Sequence, residues 1–178
     1  MTDTETKTAP GSPFWRFSLQ FYRQAAVADA CIALQEQSGV DVNLLLFLLW
    51  QATQQRAFSP DEVAALEARI GPWREATVVP LRAVRRALKS PPALVAPATA
   101  EAFRARIKAV ELESERLQQE AMYELTRSGA PLGSAAGSPD DAACASVKAY
   151  ATMRGVAFAK PAVETLLAAF TTLHGRGE

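Results

Sequence analysis

The stretch Leu44-Leu45-Leu46-Phe47-Leu48-Leu49-Trp50 constrains this chain more than any other, because seven consecutive apolar residues leave a helix no face for water. It falls far short of the ~20 apolar residues that cross a bilayer. A helix that is apolar on every side belongs in the middle of a globular core, with other helices around it. Just upstream, Gly39-Val40-Asp41-Val42-Asn43 supplies a stop for one helix and a start for the next. The expected architecture is all-α, a single-domain bundle of about seven helices around a central buried helix from Val42 to Arg56.

Helix starts and stops punctuate the rest. Residues 1–12 read as a disordered tail, polar and without an apolar signal core. Ser12-Pro13 is an N-cap followed by proline, and the pattern is helical from Phe14 to Ser38, where Gly39 ends it. Ser59-Pro60-Asp61-Glu62 is a capping box opening a helix that stops at Gly71-Pro72. A helix from Trp73 to Lys89 contains Pro80, which predicts a kink or a fresh start between Ala76 and Pro80. Ser90 to Pro97 is a stiff connection. The longest helix runs from about Thr99 to Ser128, with Phe103, Ile107, Val110, Ser114, Leu117, Ala121 and Leu125 forming an almost heptad seam broken by Ser114. Residues 129–138 form a flexible loop, Ser138-Pro139 and Pro161 open the last two helices, and 174–178 form a C-terminal tail, so the single domain spans 13–173. No stretch reads as a strand.

The strings Phe14-Trp15, Phe17-Ser18-Leu19, Gly39 to Leu46, Trp73-Arg74, Pro80-Leu81-Arg82 and Arg85-Arg86 together resemble a bacterial, mainly proteobacterial, family of uncharacterised all-helical proteins. That family is a domain of unknown function with a GVDVNLLLF-type motif, and the resemblance covers roughly residues 14–128. It implies a helical cytoplasmic protein and carries over no catalytic or binding residue. Relatives often have a Pro-Gly break in the first helical region, where this chain reads Gln24-Ala25-Ala26-Val27.

Chemistry is scarce. His174 is the sole histidine, which excludes a two-histidine zinc helix and a Ser-His-Asp arrangement. No CxxC, phosphate loop or dinucleotide fingerprint occurs, so neither a catalytic residue nor a metal ligand nor a cofactor is assigned, and the reading leans away from an enzyme. Glu111 with Glu115 and Glu120 with Glu124 stand four apart, a spacing that could place two carboxylates on a metal, but the favoured reading is a solvated acidic face with Arg116 pairing to Glu113 or Glu120. Cys31 and Cys144 sit among small or apolar neighbours and read as buried free thiols of a reducing cytoplasm.

Two sets of residues are candidates for function. Nineteen basic residues balance nineteen acidic ones, which argues against general nucleic-acid affinity, yet the cations are unevenly placed. Arg74, Arg82, Arg85, Arg86 and Lys89 lie on one helix against Glu75 alone, and if it forms an antiparallel hairpin with the next helix, Arg82 level with Ala105, then Arg104, Arg106 and Lys108 stand at the same tip as Arg82 to Lys89. The acids at 111–124 would then overhang the far end. This reading makes the protein an interaction or adaptor module that docks an acidic partner through a basic hairpin tip. The alternative is a helical pocket that binds, or acts on, an apolar anionic small molecule, with Trp15, Tyr22, Asp41 and Asn43 in its wall. Asp41 reads first as the N-cap of the buried helix, while Asn43 either bonds the backbone near Pro80 or lines that pocket. A homo-oligomer is compatible with both; a membrane span is not expected.

Overall fold

The computed structural model describes residues 11–175, so the expected tail at residues 1–10 and the last three residues lie outside the described part. Eight α-helical segments carry the fold: α1 (Pro13–Tyr22), α2 (Val27–Ser38), α3 (Val42–Ala52), α4 (Pro60–Trp73), α5 (Val79–Ala87), α6 (Pro97–Arg127), α7 (Pro139–Arg154) and α8 (Lys160–His174). A π-helical turn, Arg74–Val78, joins α4 to α5 without a break, so the segments make seven rods. The only strands among the described residues are β1 (Arg56–Ala57) and β2 (Ser134–Ala135), antiparallel with Arg56 opposite Ala135.

α3 is the expected central helix. Every residue from Asn43 to Ala52 is buried, with α1, α6 and α7 packed against it. Its aromatic residues interlock with neighbours: Phe14 meets Phe47 edge-on at 5.3 Å between ring centres, and Trp50 meets Tyr123 at 5.7 Å. The helix ends at Ala52 rather than Arg56. Thr53 to Gln55 make a turn, Gln55 takes a positive φ of 57°, and Arg56 enters the small β pair instead. In the 129–138 loop, the Leu132 and Gly133 carbonyls also accept from the Arg56 guanidinium.

The helix expected from Phe14 to Ser38 is two helices. Phe21 and Val27 are both fully buried, yet on one straight rod six residues turn the second about 120° away from the first. The chain therefore bends between them, and Ala26 adopts the left-handed conformation with φ 63° where relatives were expected to place Pro-Gly. Gly39 takes the same conformation at the end of α2, as its sequence position demanded.

Ser59 and Glu62 form the capping box of α4. The expected stop at Gly71-Pro72 is not taken: Pro72 lies inside α4, on the exposed side with Ala68, so the carbonyl it cannot bond faces water. Pro80 acts as anticipated by its lack of a donor. Immediately before it the helix widens into the π turn, where the Val79 N–H donates to the Arg74 carbonyl five residues back.

The long helix differs most from expectation. The buried face of α6 is largely polar, made by Glu111, Ser114, Gln118, Gln119 and Met122, while seam residues Phe103, Val110 and Leu117 are exposed. α5 buries no residue, and from Val79 to Val110 only Ala100 is buried. The α5–α6 hairpin is thus an arm standing off the body. No helix among the described residues is long and apolar enough to cross a membrane. Both cysteines are free; Cys31 is buried, which pushes its thiol up to about 12, but Cys144 is exposed, against expectation.

Candidate functional site

The buried polar face of α6 meets the N-terminus of α3, and there the protein builds its densest hydrogen-bonded cluster. Asp41 caps α3 as expected, accepting from the Asn43 amide at 2.8 Å and the Leu44 amide at 3.4 Å. Its other oxygen accepts from Arg74 Nη1 and from Gln118 Nε2, both at 2.9 Å. Its own backbone N–H donates to the Tyr150 hydroxyl at 2.8 Å. An ionised carboxylate only accepts, so Gln118 must turn its amide nitrogen toward Asp41 and present its oxygen the other way. That oxygen accepts from Asn43 Nδ2 at 3.0 Å, and Asn43 Oδ1 in turn accepts from Gln119 Nε2 at 2.8 Å. The chain of donors runs from Gln119 through Asn43 and Gln118 to Asp41.

One end is closed by charge and the other is left open. At the Asp41 end, Arg74 is clamped by Glu67 Oε1 at 2.5 Å as well as by Asp41, and Glu75 lies at 3.1 Å. Hydrogen bonding to Glu67 and Asp41 raises the guanidinium above its ordinary pKa despite burial. At the other end, Gln119 Oε1 is buried with no hydrogen-bond partner, and so is Ser18 Oγ from α1.

Both residues border an open cavity of about 430 Å³. Its walls come from α1 (Trp15, Leu19, Tyr22), the α2–α3 junction (Gly39 to Asn43), the π turn and α5 (Glu75, Val78, Arg82), and α6 (Leu112, Glu115). The four residues expected to share a pocket, Trp15, Tyr22, Asp41 and Asn43, do line it together. Asn43 bonds α6 side chains, with no bond to the backbone near Pro80. Arg154 of α7 stands at the rim, exposed and without an ion pair among the described residues, with its guanidinium 2.5 Å from where a Cβ at Gly39 would sit.

The eight expected cations separate into groups. Arg74 belongs to the Asp41 cluster. Arg82 bonds Glu111 at 3.1 Å and Glu115 at 2.7 Å, and Arg85 also grips Glu111. The hairpin register is therefore shifted: Arg82 lies level with Glu111 to Glu115, not Ala105, because the connection after α5 folds back beside the first turns of α6, with Leu88, Pro91 and Val95 next to Thr99, Phe103 and Arg106. The acids that were expected to overhang neutralise the base of the arm. Arg86 reaches Glu36 at 3.3 Å on the surface, and Arg104 pairs with Glu101 one turn back. Lys89, Arg106 and Lys108 are exposed and make no ion pair among the described residues.

The two carboxylates under Arg82 titrate in opposite directions. Burial raises Glu111, but the bonds from Arg85 and Arg82 outweigh it and hold the group below the usual carboxylate range. Glu115 is raised, since burial and its neighbour Glu111 outweigh Arg82. No group of three or more metal-ligating side chains stands together among the described residues, and Arg116 pairs with Glu113 rather than Glu120. The sequence reading missed Gln118, Gln119, Ser18 and Glu67. Nothing in a hydrophobic pattern singles out a polar residue as buried, and their partners lie on other helices.

The chain belongs to the family described as "Protein of unknown function (DUF2390)", which matches residues 13–122. The match takes in the Asp41–Gln118–Asn43–Gln119 chain and most of the cavity wall, and ends before Tyr150 and Arg154 of α7. No curated protein and no solved structure matches the chain.

Proposed function

We propose that this member of the family binds a small molecule in the cavity beneath α1, one with an apolar body, a hydrogen-bond donor and an anionic end. The observation that carries the reading is one cavity lined by two residues, Gln119 and Ser18, that each hold an unpartnered buried oxygen. Each such group costs about 1–3 kcal/mol when left unsatisfied, and a donor on a ligand removes that cost. The direction of the amide chain makes Gln119 an acceptor, which selects a ligand N–H or O–H. Trp15, Leu19, Tyr22, Leu46 and Val78 suit an apolar body. Arg154 is the lining cation left to hold an anion, since Arg74 and Arg82 are already bound by carboxylates. No catalytic role is proposed for any residue. A reducing, cytoplasmic setting suits the two free thiols, and the Arg- and Ala-rich composition suits a bacterial origin.

An apolar anion, 8-anilinonaphthalene-1-sulfonate, tests this reading. Its fluorescence should rise with the folded protein, and Leu112→Trp, which fills the cavity from an exposed wall position, should abolish the rise without lowering the melting temperature. Arg154→Glu should weaken binding. Unchanged binding in both variants would overturn the proposal.

A second reading rests on a separate observation, the arm with one buried residue among 32. An isolated helical hairpin gains little from so few contacts, and its exposed apolar residues mark a surface for another chain. The unpaired Lys89, Arg106 and Lys108 favour an acidic partner there. Affinity that survives high salt would argue against this docking mode.

A further inference from the structure

One face of α6 has the periodicity of a coiled-coil seam, and most of its apolar residues stand exposed; Trp73 of α4 covers it at Ser114, whose carbonyl accepts from the indole N–H. Phe103 is 47% exposed, Val110 52% and Leu117 44%, with Ala121 exposed beside them. From Phe103 to Leu125 the seam is about 33 Å long. It is not uniform along that length. Toward its C-terminal end it borders an apolar groove of about 440 Å³, walled by Ile70, Trp73, Leu117, Ala121 and Leu125. Toward its N-terminal end stands the bulky Phe103. Phe103 itself edges a second apolar groove, of about 470 Å³, beside Leu88, Pro91 and Val95.

Charge runs the same way. Before Val110, α6 carries Arg104, Arg106 and Lys108 against Glu101; beyond it, with Glu111 and Glu115 held by Arg82 and Arg85, Glu113, Glu120 and Glu124 stand against Arg116 and Arg127. Two such helices laid parallel put like charges together, and laid antiparallel put the basic end of each over the acidic end of the other.

We infer that a second copy of this chain covers the α6 face, the two α6 helices running antiparallel with Phe103 of each copy seated in the groove beside Ala121 of the other. The inference rests on the reading of the arm as an interface and names its acidic partner as the C-terminal half of another α6. With Phe103 opposite Ala121, Ile107 falls opposite Leu117, and Arg106 comes within reach of Glu120. The contact is self-complementary, as a two-fold interface must be, and closes on itself without a free end. Glu120 has capacity for it: the structure gives its side chain one bond, from the Ser12 amide at 2.9 Å.

Sedimentation of the intact chain at about 100 µM and after serial dilution tests the assembly, with a concentration-dependent dimer expected. Phe103→Glu should give a monomer with an unchanged helical spectrum. Arg106→Glu should weaken dimerisation on the order of tenfold, and adding Glu120→Arg should restore it. Register is tested by Phe103→Cys with Ala121→Cys, in a background where the exposed Cys144 is serine. Within one copy those positions lie about 27 Å apart along the helix and cannot be bridged, so mild oxidation should join two copies. A wild-type chain that stays monomeric at the highest concentration overturns the dimer while leaving the arm as a surface for a different chain. Cross-linking by Phe103→Cys alone, which signals a parallel pair, overturns the antiparallel arrangement.

Discussion

Residues 42–52 and residues 79–110 are both helical, and the protein holds them by opposite means. α3 is buried on all sides and is fixed by apolar contacts with three other helices. The arm buries Ala100 alone and is tied to the body by charge, through Arg82 and Arg85 on Glu111. Apolar burial is non-directional and worth roughly 1.5–3 kcal/mol for each large side chain, so α3 tolerates no opening. These pairs join a buried carboxylate to arginines about one-fifth exposed, and the desolvation of both partners offsets much of their attraction. A rigid body with a weakly anchored, apolar-faced arm is the physical form of a protein that presents one element to a partner while keeping a cavity elsewhere.

The contrast predicts how substitutions rank. Leu46→Ala, in the body, should cost about 2–5 kcal/mol by leaving a cavity, whereas Val110→Ala on the arm should stay within about 0.5 kcal/mol; chemical denaturation of both variants, dilute enough to be monomeric, checks the pair. Asp41→Ala should cost about 2–4 kcal/mol, more than a helix cap alone, because Arg74 and Gln118 lose their acceptor as well. Equal denaturation midpoints for Asp41→Ala and a simple cap variant such as Ser59→Ala would contradict the buried network.

Glu111 and Glu115 sharpen the comparison at the joint between the two regions. Glu111 is depressed, so its contribution is full above the ordinary carboxylate range and is lost as pH falls through its lowered value. Glu115 is raised, so its ionisation costs stability as pH rises through its value. Glu111→Gln should therefore destabilise at neutral pH, by about 1–3 kcal/mol through two weakened bonds to arginine. Glu115→Gln should raise the neutral-pH melting temperature. Melting curves of both variants from acid to neutral pH should diverge in opposite directions. The smallest effect expected is at the bend: Ala26→Gly should stabilise by about 0.5–1 kcal/mol, since glycine takes a φ of 63° without a Cβ clash.

What could be read in advance follows from the range of each interaction. Ser12, Ser59, Ser138, Asp41 and Gly39 act on their own helix ends within a few residues, and each caps the helix its sequence position announced. The central helix was legible because seven apolar residues admit one environment. The bend at Ala26 carried a usable signal, the 120° mismatch between the Phe21 and Val27 stripes, although no glycine or proline marks it. The polar face of α6 carried none. Periodicity assigns the apolar stripe to the interior, and only the partners on α3 and α5 explain why Glu111 and Gln118 lie inside and Phe103 outside. The hairpin register was equally hidden, since it depends on how the connection folds back along α6. Of the candidate site, Trp15, Tyr22, Asp41 and Asn43 were found, and the amide chain that links two of them to α6 was not.

Hydrogen exchange of the backbone amides, followed at low and at high protein concentration, tests the division between body and arm most directly. The amides of α3 should exchange only through global unfolding at both concentrations. Those of residues 101–110 should exchange orders of magnitude faster in dilute solution and become protected as the concentration rises and copies pair. Arm amides as protected as those of α3 in the dilute protein would contradict the account.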